Sequence, residues 1–145
     1  MTTTLRSITI ENWIECIKLK VRQGQQDFVA TNVYSIAESK VDPSMVPKAI
    51  YNEEVMVGFT MYGRDPEDGK YWIVRLMIDE QYQGNGYGKQ AILQVINLLK
   101  QNDNCTDITV SHLPLNKHAD TFYRSLGFKD NGEVIDGEVV KRLFL

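Results

Sequence analysis

Cysteine is scarce in this chain, with two residues in 145, Cys16 and Cys105. They fall in segments patterned as a helix and a strand edge, and no secretory leader is legible ahead of them. Two buried thiols are expected there, not a disulfide. Histidine is equally scarce: His112 and His118 lack the ligand-spaced company that a metal site needs, and none is expected. Positive charge is not in excess. Sixteen Lys and Arg against nineteen Asp and Glu leave a net charge of −3, which argues against duplex nucleic acid, because phosphate binding leaves a basic face. No apolar run approaches the roughly 20 residues of a membrane span. The opening MTTTLRSITI is not a basic segment followed by an apolar one. A cytoplasmic location with no membrane partner is the expectation. Repeats, low-complexity tracts and Pro/Gly/Ser linkers are missing as well, so residues 1–145 are expected to form one domain.

What is present is ordinary globular material, 43% hydrophobic and 24% charged, enough to bury a core. Leu5 to Ile10 reads as a strand, and Thr9 is placed to cap a helix from Glu11 whose stripe is Ile10, Trp13, Ile14, Ile17 and Val21. A helix over Val33 to Lys40 ends before Asp42-Pro43. Strands follow at Lys48 to Tyr51, Val55 to Tyr62 and Tyr71 to Ile78. Ala91, Ile92, Val95, Ile96 and Leu99 form a further helical stripe. Beyond it, Ile108 to His112 is a strand and Lys117 to Leu126 a helix stopped by Gly127. Phe128 to Ile135 and Glu138 to Phe144 form a hairpin about Asp136-Gly137. This order implies an α/β or α+β chain: one mixed, mostly antiparallel sheet with helices on both faces.

Between strand and helix lies QYQGNGYGKQ, residues 81–90, with glycines at 84, 86 and 88. Glycines let a backbone approach an anion, and a helix mouth offers unpaired N–H groups with about half a positive charge. Two phosphate motifs fail here. The dinucleotide fingerprint G-x-G-x-x-G meets Lys89 where its third glycine belongs. The nucleotide P-loop fails because Gly84 stands too close to Gly88-Lys89, and Gln90 replaces the metal-binding hydroxyl. The remaining pattern is Q-x-x-G-x-G over Gln83-Gly84-Asn85-Gly86-Tyr87-Gly88. A turn that merely lets the helix pack on the strand is the plainer alternative.

A second segment favours the phosphate reading. Asn116 to Phe128 contains N-x-x-A-x-x-x-Y, ending in Leu126-Gly127-Phe128, after the strand that follows the glycine helix. The two motifs in this order resemble the GNAT superfamily of acyl-CoA-dependent N-acetyltransferases. The segments Gln26 to Asn32, Ser35 to Glu38 and Val57 to Gly63 look like bacterial spermine/spermidine acetyltransferases.

The resemblance implies direct acetyl transfer from acetyl-CoA to a small-molecule amine, through a tetrahedral intermediate, by a homodimer joined through the C-terminal hairpin. Leu76, Met77 and Ile78 would pair backbone groups with the pantetheine arm, in a slot where that strand splays from Ile108 to His112. N–H groups from Gln83 to Lys89 (Gln83, Gly84, Asn85, Gly86, Tyr87, Gly88, Lys89) would hold the pyrophosphate. Asn116 would meet the end of the arm, and Tyr123 would stand beside the sulfur as general acid. Phenol to thiolate is uphill by roughly 1.5 units, about 2 kcal/mol, from unperturbed values. A cationic amine would be received by Phe28, Tyr34 and Glu38. Related polyamine enzymes place a carboxylate on the strand before the loop, where this chain has Val74 and Arg75. A single-residue base is therefore in doubt. Other acceptors (a protein N-terminus, a lysine, an aminoglycoside) and a non-catalytic acyl-CoA-binding module remain open.

Overall fold

The computed structural model describes residues 2–102 and 104–145. Its elements are β1 (Thr3–Ser7), α1 (Trp13–Lys18), a 3₁₀ turn (Gln26–Phe28), α2 (Asn32–Val41), β2 (Met45–Asn52), β3 (Val55–Arg64), β4 (Tyr71–Ile78), α3 (Tyr87–Lys100), β5 (Asp107–His112), α4 (Lys117–Ser125), β6 (Lys129–Ile135) and β7 (Glu138–Phe144). Seven strands form one sheet in the order β1-β2-β3-β4-β5-β7-β6. Neighbours pair antiparallel except β4 and β5, which run parallel. The mixed, mostly antiparallel sheet with helices on both faces is thus present.

Each face carries its own core. Ile92, Val95, Ile96 and Leu99 of α3 and Tyr123 of α4 pack with Ile73, Ile108, Val110 and Phe128. Cys16 and Ile36, from α1 and α2, pack with Ala49, Phe59, Met61 and Met77. Both cysteines are free and buried, and burial pushes the Cys16 thiol up to about 12. No helix among the described residues is long and apolar enough to cross a membrane.

The amino-terminal expectation is corrected. The Thr9 N–H donates to Asn12 Oδ1 at 2.7 Å, and the Trp13 N–H donates back to the Thr9 carbonyl at 3.0 Å. That turn ends β1 at Ser7 and delays α1 to Trp13. A six-residue helix cannot carry a stripe running from Ile10 to Val21: Cys16 is its buried residue, while Ile10, Trp13 and Ile14 are 79, 40 and 50% exposed. The chain turns extended at Leu19, so Val21 lies outside the helix.

The feature that makes a site is in β4. Met61 of β3 faces Arg75 and Tyr62 faces Ile73, so Val74 is an extra residue on β4. Such a bulge bends a strand and increases its local twist. Consistent with this, β4 pairs with β5 only through Tyr71↔Ile108 and Trp72↔Thr109. Beyond Trp72 the two strands diverge, and among the described residues their facing edges have no sheet partners.

Candidate active site

Two cavities meet in that divergence. The first, of about 630 Å³, lies among the end of β4, the glycine loop, the starts of α3 and α4, and residues 21–29. The second, of about 400 Å³, lies among the bulge of β4, the end of β5, the start of β7 and the 3₁₀ turn. Phe28, Val29, Leu76, Asn116, Ala119 and Tyr123 line both, so the two adjoin.

The glycine loop forms a bare anion cradle. Gly84 and Gly86 have φ of +84° and +83°, and Gly86 is the residue from which α3 springs. These are left-handed conformations that favour glycine. The first helical bond runs from Gln90 N–H to Gly86 C=O, so the N–H groups of Tyr87, Gly88 and Lys89 precede the hydrogen-bond ladder. Gln83 braces the loop, its Nε2 donating to the Ile78 carbonyl and to Gln25 Oε1, both at 2.9 Å. Asp79 is buried and structural: Oδ1 accepts from Lys20 N–H at 3.0 Å and Oδ2 from Gln81 N–H at 3.1 Å. Asn85 folds its amide back onto the Tyr82 carbonyl at 3.0 Å and does not line the cavity.

Charge separates the two cavities. Arg22, Lys89 and Lys117 line the first, with exposed His118 beside them, and no carboxylate among the described residues does. Asp27 and Glu138 line the second. Arg75 is on that wall too, but its Nη2 is 3.0 Å from Glu38 Oε1 and its Nη1 donates to the Val74 carbonyl. The guanidinium is neutralised where it stands, leaving two uncompensated carboxylates.

Tyr123 stands at the junction. Asn116 Oδ1 caps α4 by accepting from Ala119 N–H at 3.1 Å, which fixes the helix that carries the tyrosine. At its other end Gly127, with φ +98°, turns the chain back so that Phe128 N–H reaches the Tyr123 carbonyl. The Phe128 ring then meets Tyr123 edge-on, centroids 5.5 Å apart, with Phe122 at 5.2 Å. The Leu-Gly-Phe motif thus frames the tyrosine ring. Burial pushes the phenol well above its usual range.

His112 lines the second cavity, yet both its nitrogens are occupied. Lys141 Nζ donates to Nε2 at 2.8 Å, so Nδ1 carries the proton and faces the Leu113 carbonyl at 2.8 Å. No lone pair is left for an incoming amine. Lys141 itself is fully buried and also pairs with Asp120 at 2.8 Å and Asp130 at 2.7 Å.

Of the residues expected from sequence, the loop and helix mouth (Gln83, Gly84, Gly86, Tyr87, Gly88, Lys89), the strand residues Leu76, Met77 and Ile78, and Phe28, Asn116 and Tyr123 line the cavities. Tyr34 and Glu38 do not: Tyr34 is 60% exposed beside the Arg75 guanidinium, and Glu38 is spent on that guanidinium. Sequence reasoning missed Arg22 and Lys117 on one side and Asp27, Ser111 and Glu138 on the other. Ser111 and Glu138 come together only through the β5–β7 pairing, which no local pattern announces.

The comparisons fit this geometry. The description Acetyltransferase (GNAT) family matches residues 9–128. The spermine/spermidine N(1)-acetyltransferase of Bacillus subtilis (strain 168) is 33% identical over 97% of both chains. Among solved structures, the PaiA N-acetyltransferase of Thermoplasma acidophilum with coenzyme A superposes at a TM-score of 0.74, with 15% identity and all of each chain covered. An aminoglycoside acetyltransferase with coenzyme A reaches 0.80, with 18% identity over 99% of this chain and 95% of that one.

Proposed function

The chain belongs to the acetyltransferase (GNAT) family, and on that premise we propose that it transfers the acetyl group of acetyl-CoA to a primary amine of a polyamine or diamine. One observation carries the acceptor class: the two cavities adjoin at Tyr123 but are lined with opposite charge. The Bacillus subtilis relative, named for spermine and spermidine, supports the same class.

The first cavity fits the acyl donor. Three N–H groups at a helix mouth and the side chains of Arg22, Lys89 and Lys117 suit a pyrophosphate. The unpaired edge of β4 at Leu76, Met77 and Ile78 suits an amide-bearing arm. The thioester supplies the acetyl group. The second cavity suits a cation, since Asp27 and Glu138 favour the charged amine over a neutral one.

Tyr123 faces the place where thiolate charge builds. Its raised pKa makes full proton transfer more costly than the about 2 kcal/mol that unperturbed values give. The phenol stays protonated and donates its O–H to the departing sulfur, stabilising charge without surrendering the proton early. Deprotonation of the amine falls to water and the apolar junction, because His112 has no free nitrogen. A cytoplasmic homodimer is the setting we infer, and exposed Val134, Ile135 and Phe144 on the C-terminal hairpin support pairing there.

Tyr123→Phe tests the assignment. A loss of kcat of about a hundredfold, with CoA affinity kept, is expected for a donor acting in the transition state. Unchanged turnover would remove the tyrosine from the reaction.

A further inference from the structure

Glu138 opens β7, on the wall of the second cavity and not of the first. It is half-buried, and its Oε1 accepts the Ser111 hydroxyl at 3.1 Å. Among the described residues no other hydrogen bond or ion pair reaches its carboxylate. One oxygen is therefore oriented by β5 and the other is free to face the cavity.

The other charged groups around that cavity do not compete for it. Arg75 is held by Glu38, and the ring nitrogens of His112 are taken by Lys141 and the Leu113 carbonyl. Asp27 is exposed on the 3₁₀ turn, and among the described residues no partner orients it. Glu138 is thus the carboxylate there that the fold has positioned.

A carboxylate beside the reacting nitrogen would hold it as an ammonium, which has no lone pair to attack with. Glu138 lines only the second cavity, whereas Tyr123 borders both, and a carboxylate on the acceptor side alone has a different use. We propose that Glu138, braced by Ser111, is the specificity-determining residue that binds the acceptor's second ammonium, the one that is not acetylated. This rests on the amine-acetyltransferase reading above and adds how a diamine is told from a monoamine. An acceptor with one charge leaves the Glu138 carboxylate unmatched in a partly desolvated wall, and an acceptor with two does not.

The test compares putrescine with butylamine, which has the same carbon chain and one charge fewer. Steady-state constants are measured for the wild type, Glu138→Gln and Ser111→Ala, and putrescine binding to each enzyme–CoA complex is measured by calorimetry. The wild type should prefer putrescine, and Glu138→Gln should shrink the kcat/KM ratio of the two amines by roughly tenfold to a hundredfold, chiefly through the KM of putrescine. Ser111→Ala should fall between, with CoA affinity kept in both variants. A ratio unchanged in Glu138→Gln overturns the proposal. Should Glu138→Gln no longer bind CoA, Ser111→Ala decides by the same ratio. Should the wild type acetylate no amine at all, the enzymatic reading fails while the calorimetry still decides: weaker putrescine binding in Glu138→Gln upholds the anchor, and equal binding overturns it.

Discussion

At the scale of single residues, Gly88 separates the two explanations of the glycine loop. A methyl group there would meet Ile78 Cγ1 at 3.6 Å and the Phe122 ring at 3.8 Å, ordinary contact distances. Folding therefore does not require glycine at this position, and alanine in a first helical turn stabilises a helix by about 0.5–1 kcal/mol. Ile78 and Phe122 both line the first cavity, so the methyl would project into the space proposed for the donor. Gly88→Ala should keep or raise Tm and weaken CoA binding by about tenfold, read by calorimetry and thermal unfolding. Intact CoA affinity with a lowered Tm would return the loop to mere packing. The residues that announced themselves did so because they must be particular types: glycines at positive φ, an asparagine cap, a tyrosine framed by Leu-Gly-Phe. Tyr34 and Glu38 had only their chemistry to recommend them, and the fold turns both outside the cavities.

At the scale of elements, α4 is clamped to the sheet by charge as well as by packing. Lys141 on β7 joins Asp120 of α4 and Asp130 of β6, and Arg124 of α4 bridges the same two carboxylates. The hydrogen bond from Lys141, then that from Arg124, lowers the Asp120 carboxyl to about 2, and the same partners lower Asp130. A carboxylate with a folded pKa below its unfolded value, about 3.9, gives stability that is present above that value. This stability is lost as pH falls toward 2. In urea melts from pH 6 to pH 2, the wild type should lose stability across the lower half of that range. Asp120→Asn should be less stable at pH 6 and show a flatter profile below pH 4. Parallel profiles would mean that the clamp contributes nothing. None of this was legible in the sequence, because Asp120, Asp130 and Lys141 meet only through the strand order β5-β7-β6. The bulge at Val74 was equally hidden: the segment Tyr71 to Ile78 reads as one continuous strand. By contrast α3, with a stripe sustained over a long helix, and the hairpin at Asp136-Gly137, with φ of +51° and +79°, follow directly from local pattern.

At the scale of the molecule, a small net negative charge concealed a strong asymmetry. The −3 of the whole chain is an average that includes a first cavity edged by cations and a second edged by carboxylates. Family motifs pointed to the proposed donor side, since phosphate binding needs backbone geometry that a sequence can encode within ten residues. The second cavity draws on the 3₁₀ turn, β4, β5, α4 and β7, five segments spread over most of the chain. Its character had to wait for the fold. The most direct measurement of that character is the product of the purified protein with acetyl-CoA and a mixed panel of spermidine, spermine, short diamines, an aminoglycoside and a peptide amine, read by mass. Acetylated polyamine or diamine, with the aminoglycoside and peptide untouched, is the expected result. Acetylation of the peptide or aminoglycoside alone would contradict it and sink the reading of the acidic cavity as a polyamine site.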